Sequence, residues 1–199
     1  MRYTDFRQKF PIPIFTSQDI RLLASDITPS QLTMWQKQEY ITKIRGGVYV
    51  FNDIKKKINP WELSAIVVEP SYISLETVLS RHSLIPEMVF ATTCVTTKNT
   101  RNHQTYLGTM SYRHIQSDLF FGYYVERDTF RPYNIAYPEK ALLDFFYLNP
   151  QYKDQDHIEG LRIEPSIFQE LNQTKLNEYL KPYPARVHKI IKLLRSLHD

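Results

Sequence analysis

The sequence predicts an α+β fold in two parts, and three observations carry that prediction. Two short amphipathic segments of helical period, separated by a tight turn, lie near the N-terminus and run directly into a β-hairpin pattern. A longer middle stretch alternates helix-like and strand-like segments. The last third reads mainly as helices.

Composition narrows the possibilities. The chain has 199 residues, 42% of them hydrophobic, enough for one large domain or two small ones. No apolar run approaches the roughly 20 residues of a bilayer-spanning helix, so no membrane partner is expected. Residues 1–10 are polar and charged, unlike a signal peptide. The single cysteine, Cys94, excludes an internal disulfide and a cysteine-based zinc site, and a cytoplasmic location is expected. The net charge of +4 is unevenly spread. Residues 1–59 hold ten Lys/Arg against five Asp/Glu, residues 60–150 seven against nine, and residues 151–199 eight against seven. A basic first third suits a polyanion. An ordinary basic surface gives the same imbalance, so the fold has to decide.

In the first part, Thr16 or Ser17 can cap a helix in which Ile20, Leu23 and Ala24 share a face. The second helix has a sharper start. Thr28 takes the N-cap, Pro29 the first helical position and Gln31 the third residue after the cap, a capping box. Leu32 and Trp35 face inward. Ser30, Gln31, Thr33 and Lys37 point elsewhere and are types that contact base edges or phosphates. Residues 40–44 and 48–51 then form a hairpin across Arg45-Gly46-Gly47. A helix-turn-helix followed at once by a hairpin is a winged helix-turn-helix, expected over residues 1–58. Lys43 and Arg45 on the hairpin and Lys55, Lys56 and Lys57 after it join the candidate DNA contacts. An ordinary α+β subdomain and a protein-binding module are the alternatives. Glu39 stands where such recognition helices often end in glycine, at a cost in helix-end geometry.

The second part, residues 59–199, is expected to be a mixed α/β domain with C-terminal helices. Helices are expected over 60–69, stopped by Pro70, and over 74–79 with Ser74 as cap. Strands are expected over 89–97, 104–107, 109–115, 120–125 and 135–136. A helix over 138–146 has Leu142, Phe145 and Phe146 inward. Residues 149–162 read as a loop, 165–180 as a helix interrupted near Asn172, and 185–197 as a final helix. That helix carries Arg186, Lys189, Lys192 and Arg195 as a basic stripe, read first as its solvated face. Lys98 and Arg101 in one cluster, and Tyr112, Arg113 and His114 in another, read either as a phosphate-binding surface or as a solvated loop with structural ion pairs. Cys94, in an apolar run, reads as a buried small hydrophobe.

Several motifs, in order, resemble the AbiEi family of antitoxins and transcriptional regulators. They are residues 45–49 (RGGVY), 71–79 (SYISLETVL), 84–86 (LIP), 95–98 (VTTK), 108–115 (GTMSYRHI) and 137–144 (YPEKALLD). The resemblance spans roughly residues 10–150. It implies a winged helix that binds operator DNA, inverted repeats being expected, and a second domain with antitoxin activity. It implies a functional partner, a nucleotidyltransferase-like toxin, in a type IV pair associated with abortive infection and phage defence. In such a pair a direct complex is not required. The family supplies no catalytic residues to place. The set Lys98, Arg101, Tyr112, Arg113 and His114 is the candidate antitoxin or ligand surface.

The residues themselves leave two further readings. One is a protein- or RNA-interaction module, for which fourteen Tyr and eleven Phe provide material. The other is a nucleotide-acting enzyme. No P-loop, no Gly-Ser with paired Asp and no HxxEH-type motif is present. The expectation is therefore a non-enzyme without cofactor or metal.

Overall fold

Tyr3, Phe6 and Phe10 recur at helical spacing, and the chain opens with helix α1 (Tyr3–Lys9), which buries Phe6 completely. This helix was not expected, because polar and charged residues outnumber its apolar ones and mask the period. The structure, a computed structural model, describes residues 1–127 and 129–198. Asp199, the last residue of the expected second part, lies outside them. Strand β1 (Ile14–Thr16) leads into α2 (Ser17–Leu23). Thr16 is the cap: its Oγ1 accepts the Asp19 N–H at 3.1 Å, and the Asp19 carboxylate accepts the Thr16 N–H at 2.7 Å.

Helix α3 (Pro29–Lys37) begins on the same device, Thr28 and Gln31 capping each other at 3.0 and 3.3 Å. The chain leaves α3 through Glu39, whose φ is +58°, and enters β2 (Ile41–Arg45) and β3 (Val48–Phe51). At the hairpin Gly47 has φ +75°, and a Cβ there would sit 2.8 Å from Ser17 Oγ. The three strands form an antiparallel sheet in the order β1-β3-β2.

Successive residues of this sheet alternate faces, and both faces are covered. Phe15, Tyr49, Phe51 and Ile41 join Phe6, Phe10, Ile20 and Trp35 in one core. Ile14, Ile44, Val48 and Val50 join the core of the rest of the chain. The expected boundary at 58/59 therefore separates sequence patterns, not packing.

The second part starts with a 3-10 turn (Pro60–Leu63) and α4 (Ser64–Val67). The helix expected to Glu69 ends earlier because Val68 is extended. Then follow β4 (Ser71–Ile73), α5 (Glu76–Arg81), β5 (Ala91–Thr96), β6 (Arg101–Thr105) and β7 (Gly108–His114). Next come β8 (Tyr123–Glu126), β9 (Tyr133–Ala136) and α6 (Pro138–Leu148). The chain ends with α7 (Gln155–Glu159), α8 (Pro165–Glu170), α9 (Gln173–Leu180) and α10 (Ala185–His198).

A six-stranded mixed sheet runs β6-β7-β5-β4-β9-β8, with β4–β9 and β5–β7 parallel and the remaining pairs antiparallel. Residues 149–162 are not all loop, since Asp154 caps α7. The break expected near Asn172 is real: Leu171 turns extended and the Asn172 side chain caps α9.

Ser74 does not cap α5. Leu75, at φ +58°, precedes that helix, and the Ser74 hydroxyl donates instead to Asp144 at 2.9 Å. This bond belongs to a polar network at the centre of the second core. Lys140 and Asp144, one turn apart on α6, are both fully buried. Lys140 Nζ donates to Asp144 Oδ1, to the Tyr72 hydroxyl at 2.9 Å and to the Tyr183 hydroxyl at 2.7 Å. Asp144 in turn accepts from Tyr72 at 2.9 Å and Tyr183 at 2.7 Å. The ring of Phe121 lies 5.0 Å from the ammonium. Burial lowers the Lys140 pKa and pushes both phenols well above their ordinary value. Satisfied in this way, the charges tie β4, α6 and the entry to α10 together.

Candidate nucleic-acid interface

Helix α3 presents its outer face as Ser30, Thr33, Met34 and Lys37, all exposed, while Trp35 is 2% exposed on the inner side. The spacing i, i+3, i+4, i+7 makes these four one continuous stripe. Three of the four residues assigned to this helix face thus lie together. The fourth, Gln31, is committed elsewhere. Its Oε1 closes the capping box and its Nε2 donates to the Met1 carbonyl at 3.1 Å. The cap that starts the helix also removes Gln31 from the set free to contact a base. Thr33 bonds back to the Pro29 carbonyl at 3.0 Å.

On the hairpin, Lys43 is exposed on β2, and Lys56 and Lys57 are exposed beyond it. Lys55 is turned toward the second part, its Nζ 3.6 Å from the centre of the Tyr106 ring. Arg45 likewise donates to the Val67 carbonyl at 3.3 Å. The hairpin is therefore tied to the second part through Arg45, while Gly46 at its tip is exposed. Only Gly46 and Gly47 lie between its strands, and β3 is buried throughout.

The second candidate set does not form one surface. Tyr112 and Arg113 are adjacent strand residues and point to opposite faces of the sheet. Tyr112 is fully buried, and its hydroxyl donates to the Ser64 carbonyl at 2.7 Å. Arg113 donates to the Leu148 carbonyl at 2.5 Å and to Asn149 Oδ1 at 3.3 Å, satisfying the C-terminal end of α6. These two residues are structural. His114 is exposed at the strand end, with Nδ1 3.1 Å from the Lys98 carbonyl oxygen. What the fold does bring together is Arg45 with Lys98 and Arg101, around a cleft that also takes in His103. His103 was not singled out in the sequence; its alternation with Arg101 on one strand was the available signal.

On α10, Arg186 donates to the Tyr147 carbonyl and Arg195 to Gln173 and Asn177, while Lys189 and Lys192 are exposed. Half of the basic stripe is packing. Cys94 is fully buried and burial pushes its thiol pKa up, which leaves it no nucleophilic character. Among the described residues no cluster of three or more His, Cys, Asp or Glu can hold a metal ion, and no helix is long and apolar enough to cross a membrane. In comparisons with protein-family models and with curated proteins, nothing matches this chain.

Proposed function

We propose that the N-terminal unit is a winged helix-turn-helix that binds DNA, with α3 as the recognition helix. The single observation that carries this reading is the exposed Ser30–Thr33–Met34–Lys37 stripe on the second helix of a tightly turned pair. The order of elements supports it: helix, strand, two helices, then a two-stranded hairpin. Lys43, Lys56 and Lys57 supply phosphate contacts beside it.

The ordered motifs that resemble the AbiEi family extend the proposal. The chain is an autoregulator of its own operon and the antitoxin of a type IV pair, opposing a nucleotidyltransferase-like toxin. Its operator carries inverted repeats. The test is binding of the purified chain to duplex DNA from upstream of its own gene, set against a scrambled duplex, with toxicity of the neighbouring gene product scored with and without this chain. Selective binding together with rescue of growth supports both halves. Equal affinity for the two duplexes overturns the regulator, and absence of rescue overturns the antitoxin.

A protein-contact role alongside DNA binding is favoured by one observation. Met88 and Phe90, two residues apart ahead of β5, are 80% and 92% exposed, the most exposed large apolar side chains among the described residues. Phe90→Ser abolishes co-purification with the neighbouring gene product if this segment is the contact.

A further inference from the structure

The cleft between the hairpin and the second sheet has a charge pattern of its own. It is lined by Arg45 from β2, by Val67, Val68 and Glu69 ahead of β4, by Lys98 in the connection that follows β5, and by Arg101 and His103 on the edge strand β6. Its volume of about 390 Å³ falls in the roughly 300–1,000 Å³ range of small-molecule sites. Three permanent cations and an imidazole thus face a single carboxylate. None of Arg45, Lys98, Arg101 and His103 forms an ion pair among the described residues. Arg45 spends Nη1 on the Val67 carbonyl, which fixes the guanidinium at the wall. Burial, with Arg45 and Arg101 nearby, holds the His103 pKa below its ordinary value. Like charges gathered in a concave site without counter-charge repel one another, and a bound anion relieves that repulsion.

We propose that this cleft binds a small phosphate-bearing anion of the pyrophosphate or nucleotide class. The guanidinium of Arg101 and the ammonium of Lys98 meet the phosphate oxygens, and Arg45 brings the hairpin into the same site. The ligand bridges the two parts of the chain and stabilises their docking. The site is separate from the α3 stripe and does not rest on the DNA-binding reading.

The test is calorimetric titration of the full chain at low salt with inorganic pyrophosphate, alongside a thermal melt. One saturable site is expected, with a higher melting temperature. Arg101→Ala and Lys98→Ala, both at exposed positions, each weaken binding about tenfold or more while melting like the parent without ligand. Lys37→Ala leaves pyrophosphate binding unchanged. Absence of saturable binding, or binding indifferent to Arg101→Ala, overturns the proposal. If Arg101→Ala weakens a DNA duplex while pyrophosphate neither binds nor competes, the phosphate belongs to a DNA backbone and the small-ligand site is overturned. Pyrophosphate binding without duplex binding supports this site and contradicts the DNA-binding reading alone.

Discussion

Arg131 Nη2 lies 2.6 Å from Asp19 Oδ2, the same oxygen that accepts the Thr16 N–H at the start of α2. One carboxylate thus completes a helix cap in the first part and an ion pair with the second. Arg131 also donates through Nε to the Ile14 carbonyl at 3.2 Å, and its backbone N–H reaches Glu62 at 2.8 Å. Both side chains of the pair are about three-quarters covered, so screening weakens but does not abolish it. A double-mutant cycle with Asp19→Ala and Arg131→Ala is expected to show a coupling of about 1 kcal/mol in chemical unfolding. Additive effects would show that the contact does not help dock the two parts.

The Lys140–Asp144 pair makes a stronger demand. Removing one partner leaves a buried charge without its counter-ion, at a cost of about 3–5 kcal/mol. Asp144→Ala is therefore expected to be severely destabilising. The double replacement Lys140→Met with Asp144→Leu recovers part of the loss, because it removes the unpaired charge, but not all of it, because the Ser74, Tyr72 and Tyr183 hydroxyls lose their partners. A mild Asp144→Ala in urea unfolding would contradict the buried network.

Glu39 sits at φ +58°, where a side chain costs about 1 kcal/mol relative to glycine. Glu39→Gly is expected to raise the melting temperature by about 2–4 °C. It also removes a negative charge beside α3, so on the proposed reading of α3 as a recognition helix the affinity for duplex DNA is expected to rise with it. A fall in melting temperature would show that the Glu39 side chain contributes more than its backbone costs.

Two histidines contribute to the acid side of the stability profile. Burial, then Arg81 nearby, lowers the His82 pKa below its ordinary 6.5. The folded state resists a proton that the unfolded chain accepts. Stability is thus complete above pH 6.5 and falls as the pH drops through that value. His82→Asn is expected to flatten the melting temperature between pH 7 and pH 5.5. His103, shifted in the same direction, adds to the part that remains. An unchanged slope would show that protonation of His82 costs the fold nothing.

Much of this architecture was legible from short-range chemistry. The Thr28-Pro29-Gln31 start of α3, the Gly-Gly hairpin and the break at Asn172 each depend on neighbours within a few residues, and each was readable. The commitments of Gln31 to Met1, Arg45 to Val67 and Arg113 to Leu148 span 30, 22 and 35 positions. No local pattern encodes them, so residues suited to recognition turned out to hold the fold. Lys140 was hidden differently: it lies on a helix whose apolar residues were correctly read as inward, but its own turn into the core depends on Tyr72 and Tyr183 arriving from distant segments.

The most direct measurement is the affinity of the full chain for its upstream duplex across a salt series, with Lys37→Ala and Thr33→Ala on α3 and Lys189→Ala on α10 as the control. Recognition by α3 predicts selective binding that falls steeply with salt and weakens with either α3 substitution. Lys37→Ala lowers the salt slope by about one, and Lys189→Ala has no effect. Binding that ignores both α3 substitutions, or that fails to distinguish the duplex from a scrambled one, would contradict the account.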